Sequence, residues 1–301
     1  MQILMTGASG LVGTTLTAEL RAAGDTVNRF VRPGTDSTHS NSGDVTWDPQ
    51  TGEMNLPAAE GADAVINLAG ASIGGGRWTA NRKALLRSSR VDLTEHLVTA
   101  LARLKSPPKI FISASAIGFY GDRGEESLTE ASSSGKDFLS KITRDWEAAA
   151  IKVEQFGART VLARFGIILS KNGGALPQML TPFKLGAGGK LGSGKQWMSW
   201  ISLDDAITAI RTAITDANLS GPINIVAPNP ARNADFTRAL AKVLHRPAIL
   251  PAPAFALRLA LGEMADALLL SSQRVIPEKL TQQHFKFQYP DLESALRRAL
   301  Q

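Results

Sequence analysis

Cysteine is absent from the 301 residues. A disulfide scaffold, a Cys-ligated zinc or iron–sulfur centre and a Cys nucleophile are therefore excluded together. The absence fits a reducing compartment, and the expected setting is cytoplasmic. Blocks of like charge are also missing. Lys and Arg number 33 against 27 Asp and Glu, a formal surplus of +6 with no run of five or more like charges. Aromatics are few and scattered, so the concentrated basic, base-stacking groove of a nucleic-acid binder is not expected. The mild basic balance suits a small anionic ligand instead. Long uncharged apolar runs are lacking too. The most apolar stretch, Ala252 to Leu270, is interrupted by Arg258, Glu263 and Asp266, whereas a spanning helix needs about 20 nearly uncharged residues. No membrane partner is expected. The apolar start, Met1 to Val12, has no basic n-region, so no secretory signal is expected either.

What is present is ordinary for a globular chain: 44% hydrophobic and 20% charged residues, enough length for one large domain or two closely joined ones. Gln2–Met5, Thr26–Val31, Ala64–Leu68, Lys109–Ile112 and Arg159–Leu169 read as strands. Between them, Gly10–Ala23 (closed by Gly24), Asn81–Leu104 and Phe138–Val153 read as helices, and Pro33–Gly43 as a loop. This alternation predicts an α/β fold, a Rossmann-type doubly wound parallel sheet covered on both faces. Past Ser170 the texture changes to a glycine-rich run, an extended Trp197–Ile201, a helix opened by Ser202 with Asp205 three residues on, a strand at Pro222–Val226 and proline-punctuated helical pieces. The expected division is residues 1–169 as the Rossmann domain and 170–301 as a smaller C-terminal substrate lobe interleaved with the sheet.

Gly7, Gly10 and Gly13 have the spacing G-x-x-G-x-x-G, after the first strand and at the mouth of the first helix. Such glycines allow a sharp turn, a close approach of backbone to a pyrophosphate, and tight helix–sheet packing. With Ser9, Leu11 and Val12 they would offer free N–H groups to phosphate. The second strand ends in Val31-Arg32-Pro33 rather than an acid, with Arg29 nearby. A guanidinium matches a 2′-phosphate, so NADP(H) is the expected cofactor; a solvated surface Arg32 is the competing reading. Gly189-Lys190-Leu191-Gly192-Ser193-Gly194-Lys195 begins like a P-loop, but Gln196 stands where Ser or Thr should be, and the flanks are wrong.

The runs TGASGLVG from Thr6, INLAG at Ile66–Gly70, SASAIGFYG at Ser113–Gly121 and WISLDD at Trp200–Asp205 resemble those of extended short-chain dehydrogenases/reductases. With DWEAAA at Asp145–Ala150 and LLLSSQRVIPEKL at Leu268–Leu280, the chain resembles more closely their atypical sugar-nucleotide-epimerase-like branch, which carries a C-terminal domain of unknown function. The likeness spans essentially the whole chain. It implies a Rossmann domain, a nicotinamide cofactor and normally a Tyr-x-x-x-Lys pair with a Ser or Thr. The pair is missing here. Gly124 follows Tyr120 at four residues and Glu293 follows Tyr289, and Lys141 has no tyrosine one turn before it.

By this resemblance Ser115 matches the substrate-binding serine, with Ser113 beside it near the nicotinamide; hydroxyls satisfying strand-end backbone are the alternative. Tyr120 is a catalytic candidate or part of a structural turn. Leu68, Ala69 and Gly70 would pass under the cofactor, Arg90 would contact its phosphate or lie on a solvated helix face, and Ile168 would flank the nicotinamide. Gln196, Trp197 and Trp200 are candidates to line the substrate pocket, one tryptophan at least serving the core. His39, His96, His245 and His284 have no metal-ligand spacing, and no metal is expected. Two functional readings stand: an NADP(H)-dependent oxidoreductase or epimerase-like enzyme for a small, unidentified substrate, or a non-catalytic NADP(H) sensor or interaction protein. A homodimer stays open.

Overall fold

Alternation of apolar side chains along the strands builds a sheet that is buried on both faces. The computed structural model describes residues 1–34 and 43–301. Seven strands, β1 (Gln2–Thr6), β2 (Thr26–Val31), β3 (Val45–Thr46), β4 (Ala64–Asn67), β5 (Ile110–Ala116), β6 (Arg159–Phe165) and β7 (Gly221–Ile225), lie in the order β3-β2-β1-β4-β5-β6-β7. Every neighbouring pair is parallel. Ile3 and Met5 enter one layer with Leu16 and Leu20 of helix α1 (Leu11–Ala22). Leu4, Val65 and Phe111 enter the opposite layer. Two-sided burial of this kind is what parallel sheets require.

The chain runs outward from β1 to β3 and then returns to place β4 on the other side of β1. Strand order therefore reverses between β1 and β4, and the crevice beyond their carboxyl ends is where such folds take ligands. Three more helices pack the faces, α3 (Val91–Leu101), α4 (Phe138–Ile151) and α5 (Leu203–Thr215), and α2 (Ala80–Ser88) packs beside α3 and α4. The single helix expected over 81–104 is broken. Ser89 Oγ accepts from the Ala71 N–H at 3.1 Å, and Arg90 leaves the helical region at φ −120°, ψ −65°.

The strand expected over Arg159–Leu169 also breaks. A Cβ at Gly166 would lie 2.6 Å from the Ser199 carbonyl oxygen. Ile167–Leu169 accordingly leaves the main sheet and pairs with Trp200–Ser202. Residues beyond 170 supply α5 and β7 to the sheet, so the two parts of the chain interleave. Helices Leu176–Lys184, Asn233–Leu244 and Leu292–Leu300 enclose a second core around Trp200 and Phe236. Buried Asp205 ties the final segment down, accepting from the N–H groups of Gln288 (2.7 Å) and Tyr289 (3.1 Å). The P-loop-like run is paired with another loop: Gly192 N–H donates to Ala252 O at 2.8 Å and Ala252 N–H to Lys190 O at 2.9 Å. Among the described residues no helix is long and apolar enough to cross a membrane.

Candidate functional site

The three loop glycines are not equivalent. Gly7 sits at φ +67°, and a Cβ there would lie 2.6 Å from the Leu68 carbonyl carbon. A Cβ at Gly13 would lie 2.3 Å from the Gly7 oxygen. Both are required by the protein's own backbone. Gly10 caps α1 with ordinary β-region angles, and its Cβ would meet nothing nearer than 3.3 Å. That contact, with the Gly7 oxygen, is tight but far looser than those at Gly7 and Gly13, and beyond it lie the first N–H groups of the helix, which a helix N-terminus offers to an anion.

The floor of the crevice is a hydrogen-bonded layer. Thr6 Oγ1 donates to Asn67 Oδ1 (2.7 Å) and accepts from the N–H groups of Leu68 (3.1 Å) and Ala69 (3.2 Å). Asn67 Nδ2 and Trp146 Nε1 both donate to Thr94 Oγ1, at 2.9 and 3.0 Å. Thr6 joins β1 to β4 in this way and sets the path of Leu68, Ala69 and Gly70 beneath the crevice.

Arg90 enters from the α2–α3 break. It is 9% exposed. Its guanidinium donates to Ala71 O (2.9 Å), Leu86 O (3.3 Å) and Ser89 Oγ (3.4 Å), and lies 5.4 Å from the Trp146 ring. None of these partners is an anion. Burial first, and the charge of Arg82 second, pull its pKa down to about 10, which leaves it charged at neutral pH. A buried cation lacking an acid is costly unless an anion joins it. The solvated-face alternative for Arg90 is thereby corrected.

At the other end of the loop, a groove of about 370 Å³ is lined by Ala8, Ser9, Thr14, Thr17, Arg21 and Arg29 among others. Arg29 is fixed by Asp44, with Nη2 2.5 Å from Oδ2 and the backbone N–H 2.9 Å from Oδ1. The Asp44 hydrogen bond raises the Arg29 pKa. An acid thus does stand near the end of β2, but it is spent on Arg29. Arg32 is exposed just past β2.

The two catalytic candidates need correction. Ser115 is 3% exposed and its hydroxyl donates to Glu147 Oε1 at 2.5 Å. Arg164 grips the same carboxylate through Nε (2.7 Å) and Nη2 (2.8 Å). Its Nη1 donates to Tyr120 Oη at 2.9 Å, and Tyr120, fully buried, donates to Asn224 Oδ1 at 2.7 Å. Burial raises the Tyr120 pKa, away from acid/base use. Ser115 and Arg164 are register partners on β5 and β6, and Asn224 continues the row on β7. All three turn to the α4 side of the sheet. Burial and the bonds within this network, rather than the face it lies on, close the Ser115 and Tyr120 hydroxyls off. Ser113 is buried as well, its hydroxyl donating to Ala114 O.

The pocket-lining candidates also diverge. Trp200 is fully buried in the second core. Gln196 is buried and its amide donates to Leu191 O and Leu269 O, joining two loops. Trp197 is half-buried between Arg232 and Arg274 and donates to Glu125. Ile168 is half-buried on the short strand beside Ile201. His96 contacts Pro49 O; His245 and His284 take left-handed backbone angles; His39 lies outside the described residues. Among the described residues no cluster could hold a metal ion.

Sequence reasoning missed Glu147, Arg164 and Asn224 as one network, and it missed the wall beside Gly70. There Trp78 and Phe138 meet at 5.3 Å over Leu86, Ile142 and Trp146. The signal for Glu147 was its place in DWEAAA; for Phe138 it was the position before the Ser140-Lys141 pair.

Residues 3–226 match the model of the NAD dependent epimerase/dehydratase family, and residues 252–299 match a domain of unknown function (DUF1731). The chain is 42% identical to epimerase family protein YfhF of Bacillus subtilis, covering 98% of this chain and 97% of that protein. Among solved structures it is similar to human epimerase family protein SDR39U1 with NADPH, at 32% identity, a TM-score of 0.89 and 99% coverage of both chains. It is also similar to a nucleoside-diphosphate sugar epimerase from Corynebacterium glutamicum, at 37% identity and a TM-score of 0.79, covering all of this chain and 58% of that one.

Proposed function

Because the chain belongs to the NAD dependent epimerase/dehydratase family, we propose that it binds NADP(H) in the β1/β4 crevice and acts as an oxidoreductase or epimerase-like enzyme on a small molecule. One observation carries the cofactor reading. A helix mouth whose first N–H groups open beside a glycine, Gly10, faces a crevice where a buried arginine, Arg90, has no acid. A diphosphate supplies the anion that Arg90 lacks and accepts from the α1 amides. Arg21 beside the groove and exposed Arg32 past β2 favour a 2′-phosphate at the far end, and the similar human protein was solved with NADPH. The cofactor, when bound, supplies hydride chemistry. This chain's residues bind and orient it: Gly7, Ser9, Gly10, Leu11, Val12 and Gly13 at the loop, Leu68 to Gly70 below, Arg90 behind.

Calorimetric titration with NADPH and NADH tests the reading. NADPH should bind about 10-fold or more tightly, from the added charge-assisted contacts; silence with both dinucleotides refutes it. A second reading, a non-catalytic NADP(H) sensor, is favoured by the burial of Ser115 and Tyr120 and the missing Tyr-x-x-x-Lys. Loss of NADPH absorbance with any carbonyl panel supports the enzyme. Tight binding with no turnover and no solvent exchange at the nicotinamide supports the sensor.

A further inference from the structure

The wall of the crevice next to Gly70 is apolar where a sugar site would be polar. Ala71 and Ile73 follow Gly70, Ala114 stands near the carboxyl end of β5, and Trp78 and Phe138 close the surface. Trp78 and Phe138 are half-buried, tilted 60° to one another, and backed by buried Leu86 and Trp146. The Trp78 N–H is spent on Ile73 O at 3.1 Å. Hydroxyl groups placed against the two rings would lose water and gain no partner from the rings themselves. The hydroxyls that flank Ala114, those of Ser113 and Ser115, are buried, while Ser72 and Thr79 sit exposed at the edge of the wall.

The rim of the same wall is cationic. Lys83 Nζ stands 4.6 Å from the Phe138 ring centroid. Arg82 reaches back to Ser72 O, while its Nε is buried with no hydrogen-bond partner. Arg77 comes within 3.5 Å of where a Gly262 Cβ would stand, and Lys83 pairs with Glu263 at 2.5 Å. The loop bearing the wall thus spans from the Rossmann crevice to the C-terminal segment. Three cations face one acid there, and that acid is engaged.

We propose that the second ligand of this crevice is a flat aromatic molecule with an anionic group, its ring packed beside Trp78 and Phe138 and its anion turned toward Arg82 and Lys83, rather than a sugar nucleotide. The proposal rests on the cofactor reading only for calling this ligand the substrate; the wall itself does not depend on it.

The test is calorimetric titration of the full chain, with and without saturating NADPH, using naphthalene-2-carboxylate and UDP-glucose as probes. Naphthalene-2-carboxylate should bind and UDP-glucose should give no heat. Trp78→Ala and Phe138→Ala should each weaken naphthalene-2-carboxylate about 10-fold, the scale of one lost aromatic contact, and leave NADPH affinity within about 3-fold. Trp78→Phe should keep most of the affinity, which separates ring contact from a folding defect. Phe255→Ser, on the exposed face of helix Ala254–Leu261, should change nothing. UDP-glucose binding in place of the aromatic acid, no binding of the aromatic acid, or equal affinity in the Trp78→Ala and Phe138→Ala variants overturns the proposal. Failure of NADPH alone to bind overturns the cofactor reading and leaves the wall measurement standing.

Discussion

Gly70 and Arg90 are packed so closely that a side chain on one would have to push the other: a Cβ on Gly70 would lie 3.3 Å from the Arg90 guanidinium carbon. The last residue of the β4 turn and a buried cation from the α2–α3 break are thus one unit. Gly70→Ala should displace the guanidinium and weaken NADPH several-fold, read by calorimetry. Arg90→Met should keep the unliganded melting temperature within a few degrees, since it removes an unpaired buried charge along with its carbonyl contacts. The same variant should abolish most of the NADPH-induced rise in melting temperature.

The glycine loop predicts a split between folding and binding. Gly7→Ala and Gly13→Ala place a methyl against backbone at 2.6 and 2.3 Å and should cost about 2 kcal/mol or more in urea unfolding. Gly10→Ala should unfold near the parent's midpoint yet bind NADPH at least several-fold more weakly. Equal loss of stability in all three variants would contradict the division.

The Ser115–Glu147–Arg164 network should behave as structure. Glu147→Ala leaves the Arg164 guanidinium buried and unpaired, a loss of about 3–5 kcal/mol. Ser115→Ala removes one hydrogen bond to a charged group and should cost about 1.5–3 kcal/mol. NADPH affinity should hold in Ser115→Ala. Denaturant midpoints order the two variants, and a Ser115→Ala protein of unchanged stability with lost turnover would restore Ser115 to the chemistry.

Glu130 sets a pH dependence. The residue is 8% exposed, Oε1 accepts from the Asn224 N–H at 3.0 Å, and Oε2 is buried with no partner. Burial raises its pKa above the ordinary glutamate value. The folded state therefore holds this proton more tightly than the unfolded state does. Its contribution to stability is complete below the unfolded value of about 4.3 and is lost as pH rises through the raised native value. Glu130→Gln should flatten that part of the pH–stability curve, measured by urea midpoints from mildly acidic to neutral pH.

Much of the fold was legible because its signals are local. The strand–glycine–helix start of residues 2–22 needs only neighbours in sequence, and so does the apolar alternation that covers both sheet faces. Boundaries failed where a distant group intervened. The helix over 81–104 breaks at Arg90, next to Ser89, whose hydroxyl accepts from the Ala71 N–H back in the β4 turn. The strand over 159–169 turns at Gly166, where Ser199 and Val226 come too close for a side chain.

For the site, sequence by itself determined the glycine loop, the lack of a Tyr-x-x-x-Lys pair and the absence of cysteine chemistry, since each is a matter of residue identity and spacing. Tertiary structure alone decided that Ser115 faces Glu147, 32 residues away, and that Arg90 is buried without an acid. Which way a side chain points at a strand end, and whether a charge keeps its water, depend on what packs across the sheet; spacing along one chain carries no record of that.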